Sequence, residues 1–168
     1  MKTLIVYATK YGSTEKCAKL LSDKLSSEVE LCNLKLEKNI DLSKYDKVII
    51  GTSVYMGRVR KEINEFFTNN SNELITKKLG VFQCSMSQGA DAVTQIENTF
   101  PKELFNNAVV KEHFGGEFSF DKMNFFERFI VKMVSKKENN NQPIDTSKSI
   151  SSISEQRISE FAQAMNDA

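Results

Sequence analysis

A chain of 168 residues is long enough to bury a core as one domain without covalent staples. It is 40% hydrophobic and 27% charged with a net charge of +1, so no global field points to nucleic acid. Cys17, Cys32 and Cys84 form no C-x-x-C pair and His113 is the single histidine, which argues against a disulfide framework or a metal site and suits a reducing cytoplasm.

The chain opens on MKTLIVYATK, whose apolar run of about five residues falls short of the ~7–15 of a secretory signal. Leu4-Ile5-Val6-Tyr7-Ala8 instead has the pattern of a strand buried on both faces. From Ser13 or Thr14 the period changes: Cys17, Leu20, Leu21 and Leu25 recur at helical spacing, with Lys16, Lys19 and Lys24 opposite. Residues 29–34 read as a second strand and 47–51 as a third. Residues 60–67 are expected to be helical, with Ile63, Phe66 and Phe67 inward. A fourth strand at 79–82 is followed by a helix at 90–98 that buries Val93 and Ile96. Pro101 suits the first turn of a short helix, and Val109-Val110 opens a fifth strand toward Phe114.

Residues 123–134 are expected to form a long amphipathic helix. Met123, Phe126, Ile130 and Met133 make one stripe, widened by Phe125, Phe129 and Val134, and Arg128, Lys132 and Lys136 line another face. The stripe either packs on the sheet or docks on an anionic membrane surface or a partner through 123–137. The polar stretch 138–152 is expected to be an exposed loop. Ser152 with Glu155 makes a capping box for a last helix at 153–166, its inner face Ile158, Phe161, Ala162 and Met165. Strands alternating with helices predict a doubly wound α/β fold: one domain, a five-stranded parallel sheet, helices on both faces.

In such sheets ligands bind beyond the carboxyl ends of the strands. The first loop, Thr9, Lys10, Tyr11, Gly12, Ser13 and Thr14, runs straight into a helix, whose N-terminal amides and partial positive charge suit a phosphate. Gly12 lets the backbone come close, and Thr9, Ser13 and Thr14 add hydroxyls. Lys10 either adds charge or points to solvent. A Ser/Thr-rich turn capping a helix with no ligand is the plain alternative. The phosphate loops G-x-x-x-x-G-K-[ST] and G-x-G-x-x-G are absent. A second loop, Thr52, Ser53, Val54, Tyr55, Met56 and Gly57, carries large residues where loop tips are normally small and polar. They either fold back on the protein or cover a flat aromatic ligand. A third, Cys84, Ser85, Met86, Ser87 and Gln88, is rich in polar donors.

With these three loops the sequence resembles the flavodoxin family along nearly its whole length. The first loop fits T-x-T-G-x-T at Thr9, Gly12 and Thr14, with Tyr11 in place of the central Thr. The resemblance implies a flavodoxin-like fold, FMN with its phosphate on the first loop and its ring between the other two, and one- or two-electron transfer. TLIVYATKYGST, VIIGTSVYMGRVRKEINEF and GGEFSFDKMNFFERFIVKMV are most similar to the short flavodoxin-domain group of menaquinone-dependent protoporphyrinogen dehydrogenases. That group tends to carry a basic segment after the fourth strand, whereas SMSQGADAVTQIENTF here is short and not basic. The partner implied is a redox protein or a quinone. Gly57, free to adopt positive φ, is the expected tuning residue, and Arg58 an expected positive charge near the ring. No residue is assigned as a catalytic acid or base. A signalling receiver on this fold needs acidic residues where Ala8-Thr9-Lys10 and Gly51-Thr52-Ser53 stand. A ligand-free interaction module is the rival from another class.

Overall fold

A computed structural model of the chain describes residues 1–55, 58–118, 120–138 and 149–168, with side chains left out at 55, 118, 126, 130 and 134–138. Strand β1 (Lys2–Ala8) runs into helix α1 (Ser13–Ser22), followed by β2 (Glu28–Asn33), β3 (Lys47–Tyr55) and a short return strand β4 (Arg58–Val59). Helix α2 (Lys61–Leu74), β5 (Lys78–Cys84), α3 (Gly89–Thr99), α4 (Lys102–Asn107) and β6 (Ala108–His113) come next. The chain then makes β7 (Glu117–Phe118), α5 (Phe125–Glu138), β8 (Ile150–Ser151) and α6 (Glu155–Asp167).

The main sheet has the order β2-β1-β3-β5-β6 with every neighbour parallel, which is the expected doubly wound α/β fold. Strand β4 is an addition, pairing antiparallel with the end of β3, and β7 and β8 form a separate two-stranded ribbon.

Side chains alternate across each strand, and the two sets feed two cores. Leu4, Val6, Val48, Ile50, Leu79 and Val81 meet Ile63, Phe66 and Leu74 of α2 and Ile96 of α3. Ile5, Tyr7, Ile49 and Phe82 meet Cys17 and Leu21 of α1 and Ile158, Phe161 and Met165 of α6. Each fully buried aliphatic or aromatic side chain contributes roughly 1.5–3 kcal/mol. The second core turns on Phe82, stacked on Phe114 at 4.7 Å between centroids and edge-on to Phe161 at 6.3 Å. That ring needs Gly51 opposite it, because any Cβ there would overlap it.

Several expectations are corrected. Val93 is 57% exposed; Ala92 and Ile96 form the buried face of α3. Pro101 caps α4 from outside rather than entering its first turn. The cap of α6 is Ser154, whose side chain accepts from the Arg157 amide, while Ser152 hydrogen-bonds Gly116. The stretch 138–152 is not all loop: α5 reaches Glu138 and Ile150–Ser151 is paired, and 139–148 lie outside the described residues.

Helix α5 departs most. It is covered by a small satellite core of Phe120, Met123 and Val131, with Tyr11 and Ile150 packed against it. So small a cover seals one narrow face and leaves Met133 60% exposed, so of the two expectations for the stripe its Met133 end does not meet packing on the sheet. The expected contributions of Phe126, Ile130 and Val134 fall on side chains outside the description. Among the described residues, no helix is long and apolar enough to cross a membrane.

Overpacking at the centre of the sheet gives the first prediction. Gly51→Ala should lower the unfolding free energy by about 1–3 kcal/mol, the usual cost of forcing extra volume into a packed core. Urea unfolding measures it, and adding Phe82→Leu in the same chain should recover part of the loss.

Candidate functional site

Register sets the geometry of the site. Ala8 pairs with Thr52, Thr52 with Gln83 and Gln83 with His113, a single row across four parallel strands near their carboxyl ends. The three loops singled out in the sequence therefore leave the same edge side by side.

In the first loop, the Gly12 amide donates to Thr9 Oγ1 at 2.9 Å, which draws the chain into a tight turn. Gly12 sits at φ 101°, a conformation costly for any residue with a Cβ. The first helical bond of α1 is Lys16 N to Gly12 O at 2.9 Å, and no side chain caps the helix. The amides of Ser13, Thr14 and Glu15 thus have no acceptor within the helix and gather its positive end.

Two buried hydroxyls stand nearby. Ser53 Oγ has no hydrogen-bond partner among the described residues, and Thr14 Oγ1 has only the Cys84 thiol beside it. An unsatisfied buried polar group costs roughly 1–3 kcal/mol, so both ask for an oxygen acceptor. A bound phosphate and its sugar chain fit this donor set.

A clamp that was not anticipated holds the loop from outside. Asn124 and Glu127 cap α5 reciprocally: the Glu127 amide donates to Asn124 Oδ1 at 2.8 Å and the Asn124 amide to Glu127 Oε2 at 3.1 Å. The other carboxylate oxygen of Glu127 takes Lys10 Nζ at 2.5 Å. The Lys10 ammonium and then the Tyr11 hydroxyl hold the Glu127 carboxyl down at about 2. Lys122 Nζ donates to the Tyr11 carbonyl at 3.2 Å and lies 3.4 Å from where a Gly12 Cβ would be. Lys10 is therefore committed to Glu127, and Lys122 is the ammonium nearest the turn. The N-x-x-E spacing of the cap was legible in the sequence; its landing on a loop more than a hundred residues away was not.

The second loop is a hairpin. Thr52, Ser53, Val54 and Tyr55 belong to β3, with Val54 opposite Val59 and Tyr55 opposite Arg58. Thr52 and Ser53 are buried and Arg58 is exposed. Met56, Gly57 and the Tyr55 ring, expected against a flat ligand, lie outside the described residues.

The third loop is held by a buried polar network. The Gly115 amide donates to His113 Nδ1 at 3.3 Å, which leaves the ring proton on Nε2, facing Ser85 Oγ at 2.9 Å. The Ser85 hydroxyl passes its own proton to Gln95 Oε1 at 2.5 Å, and Gln83 donates to the same oxygen. Thr99 closes the chain on Gln83 Oε1 at 2.6 Å. His113 is thus a donor that fixes Ser85, not a base that activates it. Burial, and then the charge of Arg157, pushes its pKa below the ordinary 6.5.

Two glycines press on this loop. The Ser85 amide donates to Gly115 O at 3.2 Å, and a Cβ on Gly116 would lie 2.6 Å from the Ser85 carbonyl carbon. Met86 Sδ accepts from Ser152 Oγ at 3.8 Å, and Gln88 is the N-cap residue of α3. Cys84 is sealed beneath, its thiol pushed far up by burial and then by Cys17. It is packing rather than a nucleophile.

The parallel sheet and its strand-end loops define a doubly wound protein of the open α/β class, with an uncapped helix N-terminus at the edge where such folds place their ligands. A flavodoxin-domain profile matches residues 4–145, and the chain belongs to that family. It is 20% identical over 171 residues to protoporphyrinogen IX dehydrogenase [quinone] of Escherichia coli (strain K12), covering 97% of this chain and 93% of that one. It is 30% identical over 107 residues to the flavodoxin-like domain-containing protein BilS of Clostridioides difficile (strain CD3), covering 61% and 60% of the two chains. Among solved structures, oxidised Flavodoxin 2 from Bacillus cereus superposes with a TM-score of 0.59 at 22% identity, covering 99% of both chains.

The His113 network yields a pH dependence with a defined sign. The folded pKa lies below the unfolded value, so the unfolded chain binds the proton first as pH falls. The contribution is complete above about pH 7.5 and is lost as pH falls through the unfolded value toward the folded one. Urea midpoints between about pH 7.5 and pH 5 should fall, and His113→Gln should flatten that slope.

Proposed function

We propose that the chain binds FMN at this edge and passes electrons through it, singly or in pairs. The observation that carries the reading is the uncapped start of α1 behind the left-handed Gly12, with the hydroxyls of Thr14 and Ser53 buried beside it. When bound, FMN supplies the one- and two-electron chemistry, and the protein sets its potentials.

The chain's own residues divide the work. The amides of Ser13, Thr14 and Glu15 receive the phosphate, helped by the hydroxyls of Thr9, Ser13 and Thr14. Tyr11 stands where the family pattern has a hydroxyl donor, and Lys122 supplies charge in its place, its ammonium already at the loop. The β3–β4 hairpin and the loop from Ser85 to Gln88 flank the ring, the latter held rigid from below by His113 and Gln95. Arg58, exposed on β4, adds positive charge that favours the reduced, more negative ring.

Absorption of the purified protein tests the first claim, and a flavin titration the second. FMN should bind far more tightly than riboflavin. Lys122→Gln should weaken FMN roughly tenfold, the scale of one charged hydrogen bond, and leave riboflavin unchanged. A colourless protein that takes up neither flavin would instead identify a ligand-free interaction module.

A finer reading takes a quinone as electron acceptor. It is supported by the likeness to the E. coli dehydrogenase along 97% of this chain. The segment after β5 has Asp91 and Glu97 as its charges and no basic residue, so it offers no cation to the carboxylates of a porphyrinogen. The photoreduced holoprotein should be reoxidised by a soluble naphthoquinone within the mixing time of a stopped-flow instrument under anaerobic conditions. Protoporphyrinogen IX should be consumed slowly or not at all.

A further inference from the structure

Helix α5 carries large apolar side chains that nothing among the described residues covers. Phe125 is 88% exposed, Phe129 52% and Met133 60%. They recur at i, i+4 and i+8, which places them on one face of the helix. Single exposed apolar residues are ordinary, but a contiguous row of three large ones marks an interaction surface.

Charge identifies the occupant. The whole chain balances 23 basic against 22 acidic residues. Residues 120–137 hold five basic residues, Lys122, Arg128, Lys132, Lys136 and Lys137, against Asp121 and Glu127. The positive excess of the molecule is therefore concentrated on this segment, and the remainder of the chain is net negative. Lys132 is exposed and falls within the apolar row at helical spacing, while Glu127 is drawn away toward Lys10. A helix with exposed phenylalanines among lysines lies flat in a lipid interface, its rings in the acyl boundary and its ammonium groups at the headgroups.

We propose that the Phe125–Phe129–Met133 face of α5 docks on an anionic phospholipid surface. The helix begins at the clamp that ties Glu127 to Lys10, so docking brings the strand-end edge of the sheet to the membrane. A second copy of the chain is the competing occupant. It is disfavoured because two like copies would bring two basic segments together.

Flotation with vesicles tests the proposal, using the full chain supplemented with FMN. The protein should float with vesicles of phosphatidylcholine mixed with phosphatidylglycerol and not with phosphatidylcholine alone. Raising salt from about 0.1 M to about 0.5 M should release it. Phe125→Ser combined with Phe129→Ser should cut the partition at least about tenfold. Both rings are exposed, so circular dichroism and FMN uptake should stay unchanged. Lys132→Glu should weaken binding several-fold.

No flotation with anionic vesicles overturns the proposal, as does flotation that the double variant leaves intact. A concentration-dependent dimer in sedimentation, abolished by the same double variant, also overturns it by making the row a seam between copies. The vesicle readout does not depend on electron transfer, so failure here leaves the flavin reading standing, and failure of flavin binding leaves this one standing.

Discussion

The site depends on the parallel pairing of β1, β3 and β5 in one register. Because Ala8, Thr52 and Gln83 lie in a row, three loops far apart in sequence begin at the same height and open in the same direction. A slip of one residue would exchange the faces of a strand, pushing Ile49 toward the α2 side and Ile50 toward α6. Both cores resist that slip, since Gly51 admits the Phe82 ring only in the observed register. The packing that stabilises the sheet therefore also aligns the loops.

Each loop is then held by a different kind of force. The first is a backbone turn, set by one left-handed glycine and tied from outside by the Glu127–Lys10 ion pair and by Lys122 on the Tyr11 carbonyl. The second leaves from the β3–β4 ladder, which pairs Val54 with Val59 and Tyr55 with Arg58. The third rests on a chain of buried hydrogen bonds, in which a neutral histidine orients a serine that in turn orients a glutamine. Such a chain has value only when complete, because each member left alone would be a buried polar group without a partner. The Glu127 carboxyl stays ionised across the physiological range, so the clamp on the first loop is insensitive to ordinary changes in acidity.

Much of this was legible in the sequence. The runs at β1 and β3 are apolar because both faces are covered, and the change of period after Gly12 marks α1. The first loop follows from strand, glycine and hydroxyls in sequence. Where reading failed, the cause was non-local. The stripe through Met133 stayed open between core and docking face, because spacing does not say whether a helix has a sheet beneath it. Val93 was expected inside α3, yet the helix is turned so that Ala92, Ile96 and Thr99 face inward and Val93 faces out. Ser152 matched a capping box, but the ribbon with β7 draws it to Gly116 and leaves the cap to Ser154. Gln83, Gln95 and His113 carry no local signature, and only the fold brings them together.

Lys47 has an ammonium buried under the last turn of α6, where it donates to the Met165 carbonyl at 2.5 Å. Helix ends of that polarity welcome a cation, whereas the same charge sealed in without a partner would be strongly unfavourable. The two residues are separated by 118 positions. The bond therefore ties the start of β3 to an element far along the chain. The central strand and α6 are thereby coupled, since the buried ammonium has its acceptor only with that helix docked.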